Sequence, residues 1–190
     1  MSSLTILTLG NSLTAGFGVT TAQAYPALLE RKLLAAGYPC RVINAGINGE
    51  TTGGALSRIN RALMLEPDIV ILETGINDHL LGLDPALTAQ NIRRMVRLCR
   101  DKGVMVILAG MSPGEAFAGD DTAVFARLYP AIATEESISL IPFFLEGVVG
   151  HAGLTQADGV HPTAAGYRIV VETIWPYVIG VIDRLMANST

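Results

Sequence analysis

The chain of 190 residues is poor in the groups that build metal and redox centres, with 2 cysteines and 3 histidines. Cys40 and Cys99 make no C-x-x-C pair and stand far apart. One reads as a strand-edge residue and the other as the buried side of a helix. Two inert thiols are therefore expected, and no disulfide, metal or other cofactor site. Positive charge is also scarce. The 13 Lys and Arg are outnumbered by 17 Asp and Glu, and the net charge of -4 gives no general attraction to nucleic acid. Arg93, Arg94, Arg97 and Arg100 do cluster, but they alternate with Ile92, Met95, Val96 and Cys99 at i, i+3, i+4, i+7 spacing. That is the solvated side of an amphipathic helix. No run is long enough to span a membrane, so no integral membrane association is expected. The short N-terminal apolar stretch has neither a basic flank nor a cleavage pattern, so it does not read as a signal peptide. The chain as it stands is expected in the cytoplasm, or in the periplasm or outside the cell if a leader has been removed. It carries no signal for an oligomeric state.

What is abundant is apolar: half of the residues are hydrophobic, enough for a full core in one domain covering residues 1–190. Strand and helix patterns alternate along it. "LTILTL", "CRVINAG", "DIVILETG", "VMVILAG" and "ISLIPFF" read as five strands. Amphipathic stretches lie between them, with Gly37 and Gly103 as stops. A last helix is expected after Pro162, kinked or divided at Pro176. Repeated βα units with apolar strands predict an α/β fold: a three-layer α/β/α sandwich around a mainly five-stranded parallel sheet. Ligands of such sheets bind at the carboxyl ends of the strands. Ser12, Gly49 and Asn77 follow the first three strands, so the fold should bring them to one edge.

The segment "LTILTLGNSLTAGFG" places Ser12 just past the first strand. A serine there can cap the next helix. The nucleotide-binding patterns are incomplete, because position 21 is Thr and no G-K-[S/T] follows Gly10; G-x-S-x-G fails at Thr14. As a nucleophile, Ser12 would need an imidazole base, and that base an orienting group. His161 sits in "ADGVHPT", three residues after Asp158, with Gly159 allowing the turn. The carboxylate can then reach the ring nitrogen facing away from the serine. The plainer readings are that Asp158 closes a turn and that His161 caps the last helix. His79, in a loop before "LLGLDP", and His151, among glycines, are weaker candidates for the base. Acyl transfer also needs oxyanion donors, which the backbone at Gly46 or Gly49 and the Asn77 amide could supply. Simple turn roles are the alternative for each.

These residues match a family pattern. "LGNSLTAGFG", "INAGINGETT", "TGIND" and "DGVHP" occur in the order of the four blocks of the SGNH hydrolases, also called GDSL esterases and lipases. The chain resembles their small bacterial branch of arylesterases and acyl thioesterase/lysophospholipase enzymes over nearly its whole length. The resemblance implies that Ser12 is the nucleophile, His161 the base and Asp158 its orienting carboxylate. It also implies an oxyanion hole made by the Ser12 and Gly49 N–H groups and the Asn77 amide, with Gly49 rather than Gly46 as the matching glycine. One departure stands out: the residue before the serine is usually Asp and here is Asn11, which keeps the size and the oxygen but not the charge. The expected activity is hydrolysis of small acyl or aryl esters, with thioesters and lysophospholipids next, through an acyl-enzyme and without a cofactor. Leu80, Leu81 and Leu83 on one side, with Met111 and Phe117 on the other, are expected to line the acyl groove unless they simply anchor loops to the core. A carbohydrate O-deacetylase of the same family and a non-catalytic acyl- or nucleotide-binding domain are the alternatives.

Overall fold

Short β-branched and apolar segments, each followed by an amphipathic stretch, form strands that pair in parallel and helices that cover them. The computed structural model describes residues 3–111 and 122–187. Its strands are β1 (Leu4–Gly10), β2 (Cys40–Gly46), β3 (Ile69–Glu73), β4 (Met105–Ala109) and β5 (Ser139–Ile141). They form one sheet in the order β2-β1-β3-β4-β5 with every neighbouring pair parallel. The central strand β3 is buried at every position, as a strand covered on both faces must be.

The longer helices are α2 (Tyr25–Ala35), α3 (Thr52–Ala62), α5 (Pro85–Arg100), α6 (Thr122–Glu135) and α7 (Ala164–Ala187); α1 (Ser12–Ala15) and α4 (Ile76–Leu80) are single turns. Helices α2 and α7 pack together against one face of the sheet, and α3, α5 and α6 pack side by side against the other. This is the expected three-layer sandwich. Helix α5 shows how the pattern works. Asp84 caps it by accepting from Ala86 N, and Pro85 opens it. Its Ile92, Met95, Val96 and Cys99 face the core. Its arginines face away, and three of them pair with α6 and the residue after it: Arg93 with Glu135, Arg97 with both Glu135 and Glu136, and Arg100 with Glu136.

Of the two outcomes expected at Pro176 in helix α7, a kink or a division, the division is corrected: Pro176 lies inside the helix and does not divide it. Pro176 costs one backbone hydrogen bond. Buried Val170, Val171 and Ile174 before it and Val178, Val181 and Ile182 after it hold both halves on the sheet. Cys40 and Cys99 are both buried and unpaired. Burial pushes their thiols up to about 11 and about 12, so neither is a reactive thiolate at neutral pH.

The carboxyl edge of the sheet is tightly built. Gly10 pairs in register with Gly46 on one side and Glu73 on the other. Both glycines are bare because the turn after β1 folds down onto them. A Cβ at Gly46 would stand 2.1 Å from Ala15 N, and one at Gly10 would stand 2.2 Å from Thr14 Oγ1. Three buried tyrosines brace the same edge from below. Tyr167 Oη donates to Leu13 O at 2.9 Å, Tyr129 Oη donates to Thr74 O at 2.8 Å, and Tyr25 Oη lies 3.4 Å from Thr14 Oγ1.

Candidate active site

Ser12 opens α1, and the helix cap is its neighbour. Asn11 Oδ1 accepts from Leu13 N at 2.9 Å, which leaves the Ser12 hydroxyl unused by the helix. Ser12 Oγ lies 2.8 Å from His161 Nε2, and His161 Nδ1 lies 2.7 Å from Asp158 Oδ2. The structure thus joins residues 149 positions apart in one hydrogen-bonded chain. His161 does not cap α7, because Thr163 Oγ1 accepts from Gly166 N. The plainer reading of Asp158 holds beside the sharper one. Its Oδ1 accepts from Val160 N and His161 N at 2.9 and 3.0 Å and closes the turn, while Oδ2 faces the ring. Burial works to raise the Asp158 carboxyl, but those two N–H donors and the imidazole outweigh it and hold the group below its ordinary value. A carboxylate that stays charged can fix the ring tautomer and stabilise an imidazolium.

Asn77 is the second residue of α4 and lies near the loop that holds Gly49. Its Nδ2 donates to Glu50 O at 2.9 Å, which occupies one amide hydrogen and leaves the other for a ligand. Glu50 is held in turn by Arg58, whose Nε and Nη2 reach its carboxylate and whose Nη2 also donates to Ala45 O at 2.7 Å. Gly49 sits in this turn with φ +74°, a conformation that favours glycine. Gly46 is a strand-end packing residue instead. Ser12, Gly49 and Asn77 therefore follow β1, β2 and β3 onto one edge of the sheet, as expected. A hydroxyl, an imidazole–carboxylate pair and neutral N–H donors on such an edge suit attack on a carbonyl.

Comparison with known proteins agrees with this chemistry. Residues 8–169 match the GDSL-like Lipase/Acylhydrolase family. The chain belongs to this family. Esterase TesA of Pseudomonas aeruginosa is 40% identical over 173 residues, 90% of this chain and 86% of that protein. "Thioesterase 1/protease 1/lysophospholipase L1" of Escherichia coli is 33% identical over 159 residues, 83% of this chain and 75% of that one. Among solved structures, the psychrotrophic esterase EstA from Pseudoalteromonas sp., inhibited by monoethylphosphonate, superposes with a TM-score of 0.85 at 27% identity, covering 94% of this chain and 98% of that one. Like these family members, the chain is a carboxylic ester hydrolase with the SGNH-hydrolase fold.

Several residues with no role assigned from the sequence hold this edge together. Asp78 is buried and accepts from Thr52 N at 2.8 Å and from Thr52 Oγ1 at 2.5 Å, so it ties the start of α3 to α4. Gln156 Nε2 donates to Phe17 O and Pro162 O at 2.7 and 3.0 Å, fastening the His161 loop to the turn after Ser12. The Phe17 ring lies 4.7 Å from the imidazole of His161 and is 46% exposed. His79 packs on Phe125 with ring centroids 5.1 Å apart, and His151 Nδ1 sits 3.3 Å from Val149 O. Among the described residues no group of three His, Cys, Asp or Glu could hold a metal ion.

The expected groove is only partly assembled. Leu80, Leu81 and Leu83 are exposed just after Asn77, but Met111 is buried in the core and offers little face to a ligand. Phe117 lies outside the described residues.

The Asn77 geometry gives a test. Asn77→Ala should lower kcat by about 10²–10³-fold if its free amide hydrogen meets a developing oxyanion. KM should change little. A folded Asn77→Ala protein with near-normal kcat would leave that hydrogen bond to Glu50 as the residue's whole role.

Proposed function

We infer that the chain, working as one domain, hydrolyses small acyl and aryl esters by two-step acyl transfer at Ser12. The continuous link from Ser12 through His161 to Asp158, at 2.8 and 2.7 Å, carries this reading. Ser12 Oγ attacks the carbonyl carbon while His161 Nε2 takes the hydroxyl proton. The negative oxygen of the tetrahedral intermediate accepts hydrogen bonds from the Ser12 and Gly49 N–H groups and the free hydrogen of Asn77. His161 gives its proton to the leaving alcohol as the C–O bond breaks. A water molecule then loses a proton to the same nitrogen, attacks the acyl-enzyme and releases the acid, and Ser12 recovers its hydrogen. Asp158 holds the Nδ1 hydrogen throughout. Thioesters and lysophospholipids extend the substrate range, supported by the name of the Escherichia coli relative. The exposed Leu80, Leu81 and Leu83 are the apolar wall for the acyl chain.

The test is a panel of p-nitrophenyl esters from acetyl to palmitoyl with one acyl-CoA. Hydrolysis should be strongest at short chain length, and replacing Leu81 by Ser should depress the longer esters most. A panel with no turnover on any ester would overturn the reading. A chain-length profile unmoved by Leu81→Ser would remove the leucines from it.

A further inference from the structure

The nucleophile turn rests on a buried carboxylate that the proposed mechanism does not use. Glu73 ends β3, is fully buried and makes no salt bridge among the described residues. Its Oε1 accepts from Asn11 Nδ2 at 2.7 Å. Its Oε2 accepts from Thr14 Oγ1 at 2.8 Å and from Asn11 N at 3.2 Å. Asn11 is thus gripped at both ends of its amide, by Glu73 at Nδ2 and by the Leu13 N–H at Oδ1. Ser12 is the residue between these anchors.

All three donors of the grip are met together only when Glu73 is ionised. Asn11 presents two donors to the carboxyl group, and both are matched by an ionised carboxylate. A protonated Glu73 has to place a hydrogen of its own. Thr14 Oγ1 is the acceptor in reach, and it must then turn its hydrogen toward Tyr25 Oη, 3.4 Å away. Protonation therefore reverses the Thr14 bond of the clamp, directly beneath the nucleophile turn. We propose that Glu73 is a positioning residue for Ser12, and that loss of its proton completes the clamp and gives hydrolysis a second rise on the alkaline side. The proposal rests on the reading of Ser12 and His161 given above.

The surroundings set where that rise falls. Burial pushes the Glu73 carboxyl up to about 8, against the downward pull of the Thr14 and Asn11 donors. The facing titratable groups are Tyr25 of α2, Tyr129 of α6 and Tyr167 of α7. Burial above all, with the charge of Glu73 adding to it, holds all three phenols above their ordinary value; at Tyr25 hydrogen bonds with Thr14 and Thr8 offset part of the rise. Asp78 of α4 adds to the rise at Tyr129. The guanidinium of Arg58 of α3 donates to Gly10 O at 3.4 Å and is committed to Glu50. The phenols thus stay neutral while Glu73 titrates. The sign follows: the proton is bound at neutral pH and lost as pH rises through about 8.

The experiment is kcat/KM for p-nitrophenyl butyrate from pH 5 to 10, corrected for spontaneous hydrolysis, with Ser12→Ala as the blank. The wild type should show this second rise, of roughly three- to tenfold, near pH 8, carried in kcat. Glu73→Gln cannot ionise, so it should lack the second rise and level off at or below the wild-type neutral value. Asn11→Asp sets a second carboxyl against Glu73. The pair then holds one shared proton, and the second rise should move up by a unit or more. A second rise at the same pH in Glu73→Gln overturns the proposal, as does an unshifted rise in Asn11→Asp, which serves if Glu73→Gln does not fold. Wild-type activity equal to the Ser12→Ala blank overturns instead the underlying reading of Ser12.

Discussion

Ser12→Ala should lower turnover on p-nitrophenyl esters by about 10⁶-fold, the scale on which a member of an acting serine–histidine–aspartate unit is lost. The fold should survive. Asn11 caps α1 through Leu13 N, and Tyr167 braces Leu13 O, and neither bond involves the Ser12 hydroxyl. Thermal unfolding should therefore move by no more than the roughly 0.5 kcal/mol of a benign substitution. A fluorophosphonate adds a covalent readout. The wild type should be labelled at Ser12 with loss of activity, and Ser12→Ala should not be labelled. Hydrolysis by Ser12→Ala at even a hundredth of the wild-type rate would place the attacking group elsewhere.

Asp158→Asn should cost about 10³–10⁴-fold in kcat. The substitution keeps one oxygen, so the turn closed on Val160 N and His161 N can persist. What changes is the group that faces the ring. An amide N–H in place of Oδ2 makes His161 Nδ1 an acceptor, which moves the ring hydrogen to Nε2. That nitrogen then cannot take the Ser12 proton. Asp158 is 40% exposed, so water can reach the pair and keeps the loss toward the lower end of the range. The measurement is kcat with KM at fixed pH, and KM should stay near wild type. A loss smaller than tenfold would reduce Asp158 to its turn.

The sheet and the outer helices were legible because their signal is periodic. β-branched runs such as "DIVILETG" and the i, i+3, i+4, i+7 stripe of α5 repeat often enough to stand above local accident. The two single-turn helices were not. Ser12–Ala15 and Ile76–Leu80 are shorter than one repeat of a buried stripe, so they read as loops. The expected division at Pro176 failed for the opposite reason. A local breaker was outweighed by packing on both sides of it. The candidate site divides in the same way. Ser12, Gly49 and Asn77 lie in short ordered blocks just past strands, and Asp158 and His161 share one block before α7. Glu73 closes an apolar strand and looks like its polar end, with nothing to show that three donors converge on it. The one available hint was Asn11 where the family usually has Asp, a polar residue whose partner lies 62 positions away. Gln156 is anchored to Phe17, 139 positions away, and nothing in its own segment shows that partner.

The span between Ser12 and His161 bears on how the protein is made. The N-terminal half of the chain holds the hydroxyl and the N–H donors, but the imidazole arrives with residues near the end. A contact across 149 positions closes a long loop, whose entropic cost grows only slowly with length but is met late. Tyr167, at the start of α7, reaches Leu13 across 154 positions and docks in the same event. A nascent chain can therefore build most of its sheet without an imidazole beside Ser12. Esterase activity would then appear only once the C-terminal helix has settled, and refolding followed by activity would report the last step of assembly rather than the first.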